Sequence, residues 1–221
     1  MENLQSFNKD CWYHTVSCED DCNRCLRFFY IKTLMKNANV PVKQQNPISL
    51  DSGAKDYESF VFLNDIKTDI NNFINNGENL YICSHNTGNG KTSWALKLMF
   101  KYFSNIWDIC DITEPQAIFI YVPEFVLALK DFNNPLPKKY LNDIKTIPLV
   151  IWDDIGTADI SNYDYTQLLT YINARQQAGL SNIYTSNLIT LDELSSKIGD
   201  KLASRVYNTS EIVELKGKDM R

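Results

Sequence analysis

The chain has 221 residues, of which 44% are apolar and 22% are charged, and its net charge is −5. This composition is typical of a soluble folded protein and excludes wholesale disorder. The acidic balance disfavours a protein that coats duplex DNA by bulk charge, but leaves room for a local basic groove. The sequence has no membrane-length apolar run and no secretory signal core, so we expect a cytoplasmic protein without membrane contact.

Four cysteines lie close together near the N-terminus, at Cys11, Cys18, Cys22 and Cys25. In a reducing compartment such a cluster more often holds a metal than forms disulfides, and the last pair has the spacing that tetrahedral zinc favours. We therefore predict a structural Zn²⁺ bound by these four thiols. Free thiols are the alternative, and His14 could replace Cys11 or Cys18 as a ligand.

The chain divides into three predicted parts. Residues 1–40 form a cysteine-rich domain, here called the head, which ends in a helix of apolar period. Residues 41–56 include Pro41, Pro47 and Gly53 and form a linker. Residues 57–221 form the main domain. A domain of about forty residues is too small to fold on its apolar core alone, so zinc would stabilise the head.

Beyond the linker, helical and strand patterns alternate. We predict helices at residues 60–74, 92–103, 122–132, 164–179, 191–199 and 200–207, and strands at 79–84, 117–122, 148–154, 182–187 and 211–215. Several of the strands are apolar on both faces, which is typical of a parallel sheet covered on two sides. The predicted fold class is α/β.

The strongest motif runs from His85 to Thr92 between a predicted strand and a predicted helix. Glycines and a helix N-terminus bring backbone N–H groups to a phosphate chain, Lys91 reaches the outer phosphates, and the Thr92 hydroxyl binds Mg²⁺. An ordinary glycine-rich turn is the alternative. His85 replaces the first consensus glycine, so we expect a different backbone geometry there. The candidate nucleotide-binding residues are Asn86, Thr87, Gly88, Asn89, Gly90, Lys91, Thr92, Ser93 and Asp153.

A second motif is the Asp153-Asp154 pair at the end of a buried strand. Two adjacent carboxylates there are costly unless a cation lies nearby, and ligands gather at the carboxyl ends of parallel strands. Asp153 would hold Mg²⁺ together with Thr92, and Asp154 would orient or deprotonate an attacking water. The alternative is a strand that ends in a polar turn before Gly156.

Together these motifs resemble an AAA+ ATPase, and more narrowly the DnaC and DnaI type of helicase loader, including loader-like ATPases of phages and mobile elements. The resemblance covers residues 57–221 and also includes Thr185-Ser186-Asn187 and Ser204-Arg205-Val206. It implies a P-loop AAA+ parallel sheet flanked by helices. We expect little or no C-terminal lid, because the chain ends soon after these motifs.

The resemblance also implies residue roles. Asn187 would be the first sensor, which positions the water and detects the γ-phosphate. Arg205 would be the arginine finger, which completes the ATP site of the neighbouring subunit in a ring or spiral. Arg175 is a looser candidate for a position at a subunit boundary. The predicted catalytic residues are Asp154, Asn187 and Arg205.

The function that the resemblance implies is ATP-dependent loading of a replicative helicase. The head would bind the helicase, and the ATPase domain would oligomerise and contact single-stranded DNA. One alternative is a transposition-regulator ATPase of the IstB type, which works on duplex DNA with a transposase. Another is a zinc adaptor whose AAA+ domain binds nucleotide but hydrolyses little.

Overall fold

The structure is a computed structural model that describes residues 26–45, 50, 55–133, 135–158 and 160–217. Its helices are α1 (Leu26–Asn37), α2 (Tyr57–Thr68), α3 (Ile70–Asn75), α4 (Lys91–Ile106), α5 (Val122–Leu129), α6 (Lys138–Thr146), α7 (Asn162–Gln177), α8 (Leu191–Ile198) and α9 (Asp200–Tyr207). Its strands are β1 (Asn79–Cys83), β2 (Ala117–Tyr121), β3 (Leu149–Asp153), β4 (Ser181–Ser186) and β5 (Glu211–Glu214). The described residues do not include the predicted zinc ligands Cys11, Cys18, Cys22 and Cys25, nor His14.

The five strands form one parallel sheet in the order β2-β3-β4-β1-β5. The predicted α/β class with a parallel sheet is therefore confirmed. Because the strands are parallel, all their carboxyl ends lie at the same edge of the sheet. Strand β4 lies between β1, which leads into the glycine-rich loop, and β3, which ends in the aspartate pair. The strand order therefore places the end of β4 between the two motifs.

Each face of the sheet has its own hydrophobic cluster. Leu80 and Ile82 of β1 belong to one cluster, and Tyr81 and Cys83 belong to the other, as the two-residue period of a strand requires. Helices α1 to α4 contribute buried side chains to the first cluster, and helices α5 to α9 contribute to the second. This cover on both faces explains why all the side chains of β1, β3 and β4 are buried.

Helix α1 lies inside the range predicted for the head, but it packs with the main domain. Ile31, Leu34 and Met35 are buried and share one hydrophobic cluster with α2, α3 and α4. The Phe119 N–H of β2 also donates to the Ala38 carbonyl oxygen over 2.7 Å. Packing thus joins residues 31–40 to the α/β body. The domain boundaries at residues 40 and 56 stay a prediction.

Two helical predictions need correction. The helix predicted at 60–74 is two helices, because the chain leaves helical geometry at Asp69, where φ is −108° and ψ is 29°. Helix α6 was missed: its sequence is mostly polar, and Ile144 is its one fully buried side chain, so the apolar period is weak. No helix in the described part of the chain is long and apolar enough to cross a membrane.

Candidate nucleotide-binding site

The glycine-rich loop joins β1 to the start of α4 and depends on two glycines for its shape. Gly88 has φ of 70° and Gly90 has φ of 99°. Residues that carry a side chain rarely adopt these left-handed backbone angles, so glycine is required at both positions. Helix α4 begins at Lys91 directly after the loop, with Ser93 in its first turn. The positive end of the helix dipole therefore faces the loop, as anion binding requires.

The backbone at position 85 does not require the glycine that the consensus places there. Among the described residues, Asn39 and Asp154 are the non-glycine residues with positive φ, so His85 has ordinary backbone geometry. Its imidazole Nε2 instead lies 3.1 and 3.2 Å from the two carboxylate oxygens of Glu193 on α8. The Glu193 carboxylate also accepts hydrogen bonds from the N–H groups of Ile189 and Thr190. These backbone donors, followed by His85, hold the pKa of Glu193 below its ordinary value.

Lys91 is almost fully buried and lies among oxygens of its own loop. Its Nζ donates to the Asn86 carbonyl oxygen over 2.9 Å. It also lies 3.5 Å from the Ser84 carbonyl oxygen and from Asn89 Oδ1. A buried ammonium needs such partners, because without them its desolvation would be too costly. The phosphate oxygens of a nucleotide in the loop would offer Lys91 stronger, charged acceptors.

Asp153 brings the loop and the sheet edge together. Its Oδ1 accepts hydrogen bonds from Thr92 Oγ1 over 2.8 Å and from Thr185 Oγ1 over 2.7 Å. Burial raises the pKa of Asp153 above its ordinary value, although the two hydroxyl groups oppose this shift. Carboxylate and hydroxyl oxygens are hard donors of the kind that Mg²⁺ prefers. Thr92 and Asp153, the predicted magnesium ligands, therefore fit this ion and lie in direct contact.

Asp154 and Asn187, two of the predicted catalytic residues, also meet at this edge. Asn187 Nδ2 donates to Asp154 Oδ1 over 3.3 Å, and Thr157 Oγ1 donates to the same oxygen over 2.9 Å. Asp154 has φ of 64°, which is uncommon for a residue with a side chain, and such backbone positions are enriched at functional sites. Its N–H donates to Thr185 Oγ1 over 2.9 Å, which fixes the turn.

The other predicted site residues lie outside this contact group. Thr87 is exposed, and the Asn86 and Asn89 side chains donate to carbonyl oxygens of the segment that follows β5. Arg205 is exposed on α9, so its side chain is accessible to a neighbouring molecule. Arg175 is fully buried and cannot face a subunit boundary, so that suggestion was wrong.

Sequence reasoning also missed two residues of the site. Thr185 is not among the predicted site residues, yet its hydroxyl contacts both Asp153 and the Asp154 N–H. The available signal was its position near the end of β4, two residues before Asn187, which follows the strand directly. Ser84 was not considered, although its Oγ accepts the Asn86 N–H over 3.0 Å at the start of the loop.

The parallel sheet, the glycine-rich loop after β1 and this set of side chains resemble those of the P-loop class of α/β proteins. Within that class, the chain resembles helicase loaders and replication initiators. The curated replicative helicase loader DnaI of Bacillus subtilis (strain 168) is 28% identical over 122 residues, which are 49% of this chain and 39% of that protein. The match thus spans less than half the length of this curated relative. No family model matches the chain.

Solved structures show the same fold at lower identity. The DnaC helicase loader superposes with a TM-score of 0.65 and 17% identity over 80% of this chain and 100% of that one. AMPPCP-bound DnaA from Aquifex aeolicus gives a TM-score of 0.55 and 16% identity over 78% of this chain and 49% of that one. The predicted resemblance to the DnaC- and DnaI-like AAA+ clade is confirmed. The phage or mobile-element type stays a prediction.

Proposed function

We propose that this protein is an ATP-dependent loader of a replicative helicase, with ATP hydrolysis as its chemical step. The observation that carries the ATPase part is the contact group at the sheet edge, in which Thr92, Asp153, Asp154 and Asn187 are linked by hydrogen bonds beside Lys91. Similarity to the DnaI helicase loader supports the biological role. The fold shared with AMPPCP-bound DnaA supports ATP as the nucleotide.

In this proposal each side chain has one task. Lys91 turns from the loop carbonyl oxygens to the outer phosphates. Thr92 and Asp153 hold Mg²⁺, which would neutralise charge on the phosphates. Asp154 accepts a proton from the attacking water or orients it, and Asn187 keeps the Asp154 carboxylate in place. The hydrogen bonds to Thr185 hold the Asp153 carboxylate and the Asp154 backbone in a fixed geometry before the substrate arrives.

The helicase role is tested by a binding experiment with the full chain. The protein is immobilised and offered a purified hexameric replicative helicase or a purified transposase, each with ATP and with ADP. We expect capture of the helicase and a complex that also binds single-stranded oligonucleotides. Capture of the transposase alone, with a preference for duplex DNA, would favour the IstB-type alternative. Absence of ATP turnover with intact helicase binding would favour the zinc adaptor.

The assembly is proposed to be a ring or open spiral in which Arg205 serves the next subunit. Such a head-to-tail contact is heterologous, so it does not close as a two-fold dimer. Arg205→Ala should lower hydrolysis about 10³-fold or more, yet leave ATP binding intact. Mixing it with Lys91→Ala chains should restore some activity, because only mixed interfaces join an intact Arg205 to an intact Lys91. A rate per chain that is independent of concentration, together with no recovery on mixing, would contradict the role of Arg205.

The head is proposed to bind one zinc per chain through Cys11, Cys18, Cys22 and Cys25, and to contact the helicase. Elemental analysis of protein purified without chelator tests the metal. One zinc per chain is expected in the wild type, and loss of zinc is expected in Cys22→Ser. Protein that contains no metal would favour free thiols.

A further inference from the structure

The segment Leu215–Gly217, directly after β5, lies between the glycine-rich loop and the start of α2. We call this segment the strap. On the loop side, Asn89 Nδ2 donates to the Leu215 carbonyl oxygen over 3.0 Å, and Asn86 Nδ2 donates to the Gly217 carbonyl oxygen over 2.9 Å. On the other side, the strap meets Asp56, the residue before α2. The glycine-rich loop is therefore hydrogen-bonded to the strap, and the strap is in turn hydrogen-bonded to Asp56, which is distant from both in sequence.

Asp56 holds the strap with a buried carboxylate. Its side chain is 2% exposed, and its two oxygens accept the N–H groups of Lys216 over 2.6 Å and Gly217 over 2.9 Å. Aspartate at the N-cap position usually caps its own helix, but the Asp56 side chain makes no such bond to α2. Its hydrogen-bonding capacity is directed at the strap instead. Hydrogen bonds to an ionised acceptor are short and strong, so this contact fixes the strap firmly.

Asn89 transmits the position of the strap to Lys91. The Asn89 side chain is completely buried, and its Oδ1 lies 3.5 Å from Lys91 Nζ. Its Nδ2 group donates to both the Leu215 carbonyl oxygen and Ser84 Oγ. A buried amide with these partners has one orientation, because turning it would leave donors and acceptors unpaired. The location of Leu215 thus determines where the Asn89 oxygen meets the lysine.

We propose that Asp56 is a positioning residue for the phosphate-binding loop and acts through the strap and Asn89. The proposal rests on the proposed function, since the ligand is the phosphate chain of a nucleotide. A loop that is already fixed in its binding geometry loses less conformational freedom when the phosphates arrive, and so binds them more tightly. Asp56 never touches the nucleotide in this scheme.

The first test is nucleotide affinity. Asp56→Asn keeps the size of the side chain but sets an amide N–H₂ against one backbone N–H of the strap. We expect the Kd for a fluorescent ATP analogue with Mg²⁺ to rise about tenfold, which is the loss of about one hydrogen bond. The matched control is Asp65→Asn, an exposed aspartate on α2, for which the Kd should not change. Binding is measured well below the melting temperature of each variant.

A double variant separates positioning from general destabilisation. In Asn89→Ala, the strap loses its buried link to Lys91. If Asp56 acts through that link, the effect of Asp56→Asn on the Kd should be much smaller in the Asn89→Ala background than in the wild type. Two independent structural defects would instead give additive changes. Full additivity would overturn the proposed route through Asn89.

The last test needs no nucleotide. Amide hydrogen exchange in a peptide covering residues 84–92 should be faster in Asp56→Asn than in Asp65→Asn. If the wild type binds no nucleotide, the proposed function fails, but the exchange result still decides whether Asp56 fixes the loop. Equal exchange in the two variants would overturn the inference. If Asp56→Asn does not fold, Gly217→Ala replaces it, because the added Cβ would collide with Asp56 Oδ2.

Discussion

In the part of the chain that the structure describes, Arg175 and Lys91 are buried at opposite ends of the sheet, and the two cations are held in different ways. Arg175 lies near the amino ends of the strands and is completely buried, whereas Lys91 lies at the carboxyl ends and is 8% exposed. The Arg175 guanidinium donates to the Asn182 side chain over 2.7 Å and to the carbonyl oxygens of Ile144 and Ile147 over 2.8 and 2.9 Å. The Lys91 contacts described above are one of 2.9 Å to Asn86 and two of 3.5 Å to Ser84 and Asn89, which belong to the glycine-rich loop.

The two sets of partners distinguish a cation that joins packed elements from a cation that is placed to bind a ligand. Arg175 joins the end of α7, on which it lies, to β4 and to the end of α6, so it links three elements that must pack together. Burial lowers the pKa of Arg175 to about 10, but it still carries its charge at neutral pH. Lys91 has partners that a phosphate chain can replace. We therefore expect loss of Arg175 to affect folding and loss of Lys91 to affect ligand binding.

The largest expected effect is that of Arg175→Met. The substitution fills the space but leaves several buried carbonyl oxygens without donors, each at a cost of about 1–3 kcal/mol. We expect a loss of at least about 3 kcal/mol in the free energy of unfolding, measured by urea denaturation. The matched control is Arg205→Met, which exchanges the same side chains at an exposed site and should leave stability unchanged. Equal free energies of unfolding in Arg175→Met and Arg205→Met would contradict the structural role of Arg175.

Lys91→Ala should show the opposite pattern. It removes the charged donor of the loop, and each lost charge-assisted hydrogen bond should weaken ATP binding by about 1.5–3 kcal/mol, or about 10- to 100-fold. The melting temperature should change little. Asp154→Asn is the companion variant: it should bind ATP normally but hydrolyse it slowly. Wild-type hydrolysis rates in both variants would contradict the assignment of the site.

The pH dependence of the melting temperature of Asp153→Asn tests how the buried Asp153 carboxylate affects stability. Burial raises the pKa of Asp153, so the folded state retains this proton to higher pH than the unfolded chain does. The stability of the wild type therefore falls as the pH rises from the ordinary aspartate pKa to the raised pKa of Asp153, and it stays at the lower level above that pKa. Asparagine still accepts both threonine hydroxyls without the charge. We expect the variant to melt a few degrees above the wild type at neutral pH, and this difference should shrink as the pH falls through the carboxylate range. A difference in melting temperature that does not change with pH would contradict the raised pKa of Asp153.

The smallest effect is expected for His85→Gly, which restores the consensus residue. The pair between His85 and Glu193 is exposed, and exposed ion pairs contribute about 0–1 kcal/mol. ATP affinity should therefore change less than about fivefold, as measured with the fluorescent analogue. His85→Gln, which retains a hydrogen-bonding group, should differ even less from the wild type. A change of tenfold or more would show that His85 takes part in the site.

Sequence patterns identified the elements that carry strong local signals. The apolar strands stand out in the sequence, and the residues from Gly88 to Thr92 together with the Asp153-Asp154 pair point to the sheet edge where the structure places them. Helix α6 and the break at Asp69 were missed, because a mostly polar helix and a single non-helical residue leave little mark on apolar periodicity. Local propensity is a weak guide where tertiary packing determines the outcome.

The sequence by itself thus determined the α/β class, the positions of the five strands and the glycine-rich loop between β1 and α4, because these depend on neighbouring residues and on the period of the pattern. The tertiary structure alone decided that Arg175 is buried, that Thr185 bridges the aspartate pair and that Asn89 meets Leu215, 126 residues further along the chain. Such contacts depend on strand order and register. When β4 pairs between β1 and β3, residues far apart in sequence meet at one edge, and their hydrogen bonds form only there.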